Sequence, residues 1–116
     1  MKVFTTDKIR NVVVLGHSWA GKTSLVSAMN GIATASKQRM TEPAATTQML
    51  VQPILWDDHK INILDVPGAF DFVGEIEEAV GVADAAIIVI SGKNGVENGT
   101  RKAWAMCEKY HLPRIV

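Results

Sequence analysis

The sequence predicts an α/β fold in which a mostly parallel sheet carries helices on both faces and an antiparallel hairpin at one edge. Two short runs, residues 12–15 and 85–90, are entirely apolar, which is typical of strands buried between two helical layers. Apolar residues at helical spacing between and after these runs indicate crossover helices. Two further strand-like runs, separated by three polar residues, predict the hairpin.

The composition is that of a single globular domain covering residues 1–116. Hydrophobic residues make up 47% of the 116 positions and charged residues 21%, which excludes an intrinsically disordered chain. The formal net charge is zero, so no long-range attraction to nucleic acid or anionic lipid is expected. No apolar run reaches the length of a membrane span, and a single cysteine, Cys107, allows no internal disulfide. We therefore expect a cytoplasmic protein without membrane partners or sequence-specific nucleic-acid contacts.

Residues 16–23 read GHSWAGKT and match the pattern G-x-x-x-x-G-K-T of phosphate-binding loops. A polyphosphate needs several backbone N–H groups converging on it, and Gly16 and Gly21 allow the chain to wrap closely enough to supply them. Lys22 adds a positive charge for the β- and γ-phosphate oxygens, and the Thr23 hydroxyl is a ligand for Mg²⁺. Because Lys22 would also stabilise charge in phosphoryl transfer, it is the catalytic candidate.

The residues around this motif place it between a strand and a helix. The apolar run at 12–15 precedes the loop, and Leu25, Val26 and Met29 follow it at helical spacing. Asn30-Gly31 predicts the C-terminal cap of that helix, whose positive N-terminal end would add to phosphate binding. Strand, loop and helix in this order indicate the three-layer fold of P-loop nucleotide hydrolases.

We expect a nucleotide to contact the whole loop and the start of the helix, that is, Gly16, His17, Ser18, Trp19, Ala20, Gly21, Lys22, Thr23 and Ser24. His17 is interpreted as a packing or hydrogen-bonding residue rather than a catalytic one. Trp19 is large for the middle of a phosphate loop. Either it lies over the nucleotide or it is simply exposed to solvent, and the sequence leaves both readings open.

Residues 31–48 show neither helical nor strand periodicity and are rich in Gly, Pro, Ala and Thr, so they are predicted to form a loop. In a P-loop nucleotide switch, this connection presents a threonine to Mg²⁺ and the γ-phosphate. Three threonines are available, and the residues alone do not choose among Thr41, Thr46 and Thr47.

The hairpin is predicted from residues 49–56 and 60–64, joined by the polar turn Asp57-Asp58-His59. Pro53 removes a backbone donor from the first strand, which places that strand at a sheet edge. His59 is then a turn residue and not a metal ligand.

The second hairpin strand runs directly into Asp65-Val66-Pro67-Gly68, the second chemical element of the sequence. A carboxylate at the end of a buried strand suits an outer-sphere Mg²⁺ ligand beside the phosphate loop. The backbone N–H of Gly68 can face a γ-phosphate oxygen. Because parallel strands end at the same edge of a sheet, we expect Asp65 and Gly68 to lie near Lys22 and Thr23.

The rest of the chain predicts two helices and two strands. The first helix begins near Asp71 as N-cap, and residues 85–90 and 114–116 are the strands. The second helix is predicted to end at Pro113. Cys107 is expected to be a buried structural thiol. The apolar positions at helical spacing are Val73, Ile76 and Val80 in the first helix, and Ala103, Trp104, Cys107 and Tyr110 in the second.

These residues resemble the N-terminal GTPase domain of elongation factor G, and most of all its elongation-factor-G-like branch. Three segments carry the resemblance: GHSWAGKTSL, KINILDVPGAFDFVGEIEEAVGVADAAIIVIS and KAWAMCEKYHLPRIV. The resemblance implies GTP or GDP and Mg²⁺ as bound cofactors, and the ribosome as a partner. It aligns Thr46 with the family's last switch threonine, a Mg²⁺ ligand. It assigns the other nucleotide and metal roles to Gly21, Lys22, Thr23, Asp65 and Gly68.

Three features depart from the family pattern. The family has a His directly after D-x-P-G that orients the attacking water, and this sequence, like some elongation-factor-G-like members, lacks it and has Ala69. Residues 31–48 are shorter than the family's first switch. The family continues beyond P-R-I-V into N-K-x-D, whose Asp binds the guanine base. We therefore expect a fold that is incomplete at its C-terminal side and that discriminates poorly between GTP and ATP.

The resemblance therefore predicts GTP binding with at most slow hydrolysis by a partial translational GTPase domain. Two alternatives remain open. One is a non-catalytic module that acts through its surface, and the other is a P-loop protein that binds ATP as well as GTP.

Overall fold

The computed structural model describes residues 3–34, 50–66 and 73–116. After a short 3₁₀ turn at Thr6–Lys8, the described strands and helices follow in the order expected from the sequence, with two consecutive strands after the first helix. They are β1 (Ile9–Gly16), α1 (Lys22–Thr34), β2 (Leu50–Trp56), β3 (His59–Asp65), α2 (Val73–Val82), β4 (Ala85–Val89), α3 (Asn98–Lys109) and β5 (Arg114–Ile115).

The strands form one sheet in the order β2-β3-β1-β4-β5. β1 pairs in parallel with both β3 and β4, and β5 pairs in parallel with β4. β2 pairs antiparallel with β3 at the edge. The predicted α/β architecture, mostly parallel with an antiparallel edge hairpin, is confirmed.

The core lies on both faces of the sheet because consecutive residues of β1 point to opposite sides. Val13 and Leu15 pack with buried residues of α2 and α3, whereas Val14 packs with Val26 of α1 and with Ile63. Cys107 of α3 is fully buried in the first of these clusters, as predicted. Burial raises the pKa of its thiol, so the group is protonated and inert. Within the described ranges, no helix combines the length and apolar character needed to cross a membrane.

Helix α1 continues beyond its predicted cap. Asn30-Gly31 was predicted to end the helix, but the helix runs to Thr34, so this prediction is wrong. Met29 and Ala33, on either side of the pair, both pack against the core on the α1 face of the sheet. Tertiary packing therefore outweighs the low helix propensity of glycine. Residues 31–34 of the predicted loop at 31–48 are therefore helical, and residues 35–49 lie outside the described part of the chain.

The hairpin turn contains two residues rather than three. Asp57 and Asp58 both have positive φ, 48° and 60°, as in the tight turns that match the twist of two-stranded ribbons. His59 pairs with Trp56 in the β2–β3 ladder, so the prediction of His59 as a turn residue is wrong. Pro53 lies on the edge strand β2, as predicted.

Helix α3 ends before the proline that was predicted to stop it. The helix finishes at Lys109, and His111 adopts a φ of 50°. The His111 N–H donates a hydrogen bond to the Glu108 carbonyl at 3.2 Å, and the Leu112 N–H donates one to the Cys107 carbonyl at 2.9 Å. This pair of bonds is a Schellman motif, and Pro113 follows it rather than causing it.

Two aromatic residues of the α3 region, which share the helical spacing of buried Ala103 and Cys107, lie at the rim of the core. Trp104 is 46% exposed and Tyr110 39% exposed. The Arg114 guanidinium lies 4.2 Å from the centre of the Trp104 ring, and the Tyr110 hydroxyl bonds to Glu77 of α2. Their polar partners account for this placement at the rim of the core. The predicted helix cap Asp71 lies outside the described residues.

Candidate phosphate-binding site

The loop between β1 and α1 is shaped by two glycines with different roles. Gly16 ends β1 beside Val89 of β4, and a Cβ at Gly16 would lie only 2.5 Å from the Val89 carbonyl oxygen. Gly21 has a φ of 102°, a backbone conformation that residues other than glycine rarely adopt. The first glycine therefore permits close strand packing, and the second permits the sharp entry into α1.

Lys22 is the first residue of α1, and its side chain is folded back over the loop. Its ammonium donates hydrogen bonds to the carbonyl oxygens of His17 at 3.0 Å and Gly16 at 3.3 Å. The side chain is buried, and burial lowers the pKa of Lys22, although the nearby Asp65 charge opposes this shift. Carbonyl oxygens are neutral, so a phosphate oxygen would be a stronger partner for this ammonium.

Asp65 is brought beside Thr23 by the parallel pairing of β1 and β3. Val14 of β1 is in register with Asp65, the last residue of β3, so both strands end at the same edge. The Thr23 hydroxyl donates a 2.8 Å hydrogen bond to Asp65 Oδ2. This is the juxtaposition expected from the sequence.

The Asp65 carboxyl group is fully buried and only partly satisfied. Its Oδ1 has no hydrogen-bond partner among the described residues. Burial raises the pKa of Asp65, while the Thr23 hydrogen bond and the Lys22 charge oppose this shift. A buried acceptor without a donor is unfavourable in an apolar interior and calls for a cation or a water.

These oxygen donors fit Mg²⁺ better than a transition metal. The described part of the chain holds no cluster of three or more His, Cys, Asp or Glu side chains that could bind a metal by itself. Mg²⁺ is commonly held by one or two protein oxygens together with phosphates and water. The Thr23 hydroxyl and the Asp65 carboxylate, with its orphaned oxygen, are such a set.

The other predicted site residues divide into those that the structure describes and those that it does not. The His17 side chain accepts a hydrogen bond from the Gly99 backbone N–H at 3.0 Å, in line with the predicted hydrogen-bonding role. Trp19 is 82% exposed and has a φ of 65°, an unusual backbone conformation for an aromatic residue. Ser18, Ala20 and Ser24 lie in the described loop and first turn of α1, whereas Thr41, Thr46, Thr47, Gly68 and Ala69 lie outside the described ranges.

Two residues near the loop were missed by sequence reasoning. Gly99 and Glu97, at the start of α3, both contact His17. They lie about 80 residues from it in sequence, and nothing in the loop motif indicates a partner there. The only local signal is Glu97 followed three residues later by Thr100, whose hydroxyl accepts from the Glu97 N–H at 3.2 Å, as at many helix N-termini.

The profile of the elongation factor Tu GTP binding domain matches residues 7–116. The chain belongs to this family. The match covers every described strand of the sheet, the three described α-helices and both chemical elements of the site. It also bears out the resemblance to translational GTPases stated from the sequence.

Individual relatives agree with this assignment. Elongation factor G from Salinibacter ruber is 33% identical, over 97% of this chain and 18% of its own length. A crystal structure of a protein from Thermus thermophilus shares 36% identity with a TM-score of 0.84, covering 94% of this chain and 19% of that one. The chain thus spans about a fifth of the length of these relatives.

A more distant structure shares the fold. The translation elongation factor SelB from Methanococcus maripaludis, crystallised with the GTP analogue GPPNHP, superposes with a TM-score of 0.78 at 23% identity. The alignment covers 92% of this chain and 21% of SelB. At this level of identity the likeness establishes the fold alone.

Proposed function

We propose that this chain binds a guanine nucleotide together with Mg²⁺, as the nucleotide-binding domain of a translational GTPase related to elongation factor G. The observation that carries the proposal is the contact between the Thr23 hydroxyl and the buried Asp65 carboxylate, 2.8 Å apart, beside the Lys22 ammonium. The three groups come from two separate sequence elements and meet at one edge of the sheet. Membership of the family supports guanine as the base.

The phosphates would be held by Lys22 and by the backbone at the start of α1. The first N–H groups of a helix lack intrahelical partners and carry partial positive charge. The first turn of α1 contains no acidic side chain, so nothing there competes with an anionic ligand. Lys22 would exchange the carbonyl oxygens of Gly16 and His17 for phosphate oxygens, a gain in charge complementarity.

Thr23 and Asp65 would hold Mg²⁺, with Thr46 added by family resemblance. Bound Mg²⁺ would supply positive charge for the phosphate oxygens, both in binding and during phosphoryl transfer. The Asp65 Oδ1 without a partner supports this assignment, because burial of an unpartnered carboxylate oxygen otherwise lowers the stability of the fold.

Hydrolysis of GTP would be slow. Transfer of the γ-phosphoryl group to water requires charge stabilisation, which Lys22 can provide, and a group that orients the water. Ala69, at the position of the family's His, has no side chain able to do this. The resemblance to elongation factor G also supports the ribosome as a partner and the cytoplasm as the location, although neither follows from the geometry of the site.

The proposal is tested by titrating the purified chain with fluorescent GDP, GTP and ATP analogues, with Mg²⁺ and with excess chelator. We expect binding that weakens when Mg²⁺ is removed and that is lost in Lys22→Ala, whose circular dichroism spectrum should match that of the wild type. Lys8→Ala is the matched control, because Lys8 precedes β1 at the end away from the loop.

Each outcome discriminates among the three readings. Equal affinity of Lys22→Ala and wild type would refute the phosphate-loop assignment. Equal affinity for GTP and ATP analogues would favour a nucleotide binder that does not read the base. Absence of binding to every nucleotide would favour a module that acts through its surface.

A further inference from the structure

The phosphate loop is joined to the N-terminus of α3 through the side chain of His17. The Gly99 backbone N–H donates to His17 Nδ1 at 3.0 Å, across 82 positions of sequence. Glu97 Oε2 lies 3.4 Å from His17 Nε2, on the other side of the ring. Because Nδ1 acts as an acceptor, the ring proton of the neutral imidazole is on Nε2, facing the Glu97 carboxylate. Both ring nitrogens are therefore engaged with the start of α3.

Gly99 is the second residue of α3, where the backbone N–H has no intrahelical acceptor. In many helices a side chain just before the first turn supplies that acceptor. Here the acceptor comes from a distant part of the chain. The contact is also sterically demanding, because a Cβ added at Gly99 would lie 2.7 Å from both Cα and Nδ1 of His17. Glycine at position 99 thus allows the loop backbone and the helix to touch.

The backbone of His17 takes part in the hydrogen bonds within the phosphate loop. Its carbonyl oxygen accepts hydrogen bonds from the Lys22 ammonium at 3.0 Å and from the Ala20 N–H at 3.2 Å. A residue whose ring is held by α3 and whose carbonyl holds Lys22 connects the two. A shift of the imidazole would displace the carbonyl that positions the ammonium.

We propose that His17 is a positioning residue that fixes the phosphate loop against α3 and thereby sets Lys22 in place for the nucleotide phosphates. This inference rests on the proposed nucleotide-binding function and adds to it a coupling between the loop and the helix. By thermodynamic reciprocity, nucleotide binding would in turn stabilise the contact between His17 and Gly99. The imidazole itself does not touch the phosphates in this assignment.

Three variants test the positioning role through the rate at which a fluorescent GDP analogue dissociates in the presence of Mg²⁺. His17→Leu removes the acceptor, and Gly99→Ala pushes the helix away from the loop. Both should speed dissociation about tenfold, equivalent to about 1.4 kcal/mol. His17→Asn keeps an oxygen acceptor near the position of Nδ1, so its rate should stay close to that of the wild type. Rescue by Asn and not by Leu is a result that a role in packing alone would not produce.

A second measurement examines the contact without any nucleotide. The free energies of unfolding of His17→Leu, Gly99→Ala and the double variant form a double-mutant cycle, in which we expect a clear departure from additivity. His111→Leu combined with Gly99→Ala is the control, because His111 lies at the opposite end of α3, and this pair should be additive. The nitrogen chemical shifts of His17 should also report the tautomer protonated at Nε2.

The outcomes separate this inference from the proposed function. If the wild-type chain binds no nucleotide, the proposed function fails, and the role assigned to His17 fails with it. If the chain binds nucleotide but His17→Leu and Gly99→Ala dissociate at the wild-type rate, only the positioning role is overturned. Additivity in the unfolding cycle would show that the two residues are not energetically coupled, and would overturn the positioning role as well.

Discussion

The Thr23 hydroxyl and the Asp65 carboxylate share a hydrogen bond of 2.8 Å, although 42 positions separate them in the chain. The bond exists because α1 follows β1 directly, while Asp65 ends the neighbouring parallel strand β3. It satisfies one oxygen of a buried carboxyl group, and the other oxygen has no partner among the described residues. The pair therefore joins the two chemical elements of the sequence, and the proposed Mg²⁺ would give the second oxygen a partner.

Replacing Thr23 by Val should weaken nucleotide binding mainly in the presence of Mg²⁺. The substitution keeps the shape of the side chain but removes the hydroxyl. Loss of a metal ligand and of one hydrogen bond to a charged group corresponds to about 1.5–3 kcal/mol, or roughly ten- to a hundredfold in affinity. Titration with and without chelator measures this, and Thr23→Ser, which keeps the hydroxyl, is the control. An equal loss of affinity under both conditions would argue against Thr23 as a metal ligand.

Hydrolysis should respond to Ala69→His. Small GTPases with an intact water-positioning residue hydrolyse GTP unaided at only about 10⁻⁴ s⁻¹, and the wild-type chain should fall at or below that order. An imidazole at position 69 restores a group able to orient water, so single-turnover hydrolysis should accelerate. Ala69→Leu adds comparable bulk without the hydrogen-bonding nitrogens and should not. A wild-type rate far above this order, unchanged in the His variant, would contradict the role assigned to position 69.

The end of α3 offers a stabilising substitution, His111→Gly. His111 holds the left-handed position of a Schellman motif with a φ of 50°, where glycine carries no Cβ penalty. Relief of this penalty should raise the free energy of unfolding by about 1 kcal/mol. Urea unfolding measures the gain, and His111→Ala, which keeps a Cβ, should not reproduce it. If the Gly variant is no more stable than the Ala variant, the backbone at 111 is not strained.

The contact between α2 and α3 should make stability depend on pH in the acid range. Glu77 Oε1 accepts from Lys109 Nζ at 2.9 Å and from the Tyr110 hydroxyl at 2.8 Å. The Lys109 bond first, and the Tyr110 bond second, lower the pKa of Glu77 below its ordinary value near 4.5. The ionised carboxylate therefore stabilises the fold above pH 4.5, and this contribution is lost as the pH falls through the lower folded-state value.

Glu77→Gln should accordingly lower the melting temperature slightly near neutral pH and converge with the wild type in strong acid. Because the groups are exposed, the difference should also shrink in high salt. Glu78→Gln is the control, because Glu78 is exposed and lies one residue further along the same helix. It should leave the melting temperature unchanged at every pH. A difference that persists at low pH would mean that the carboxylate charge is not its origin.

Much of the fold could be predicted because it depends on consecutive residues. The alternation of β1 between two apolar clusters follows from a run of aliphatic residues, and the edge position of β2 follows from the missing donor of Pro53. The meeting of Thr23 and Asp65 was predictable as well, since parallel strands end at a common edge. These inferences need only local periodicity and backbone chemistry.

The features that failed or were missed depend on what lies across the fold. Helix α1 continues past Gly31 because Met29 and Ala33 pack against the sheet. The Trp104 ring lies at the rim of the core, against the Arg114 guanidinium. The bond between His17 and Gly99 joins residues that no motif connects. The sequence by itself determined the strands, the phosphate loop and the residue types of the site. Only the tertiary structure decided how that loop is held, because the energy of a side-chain contact depends on neighbours that the chain brings together only when it folds.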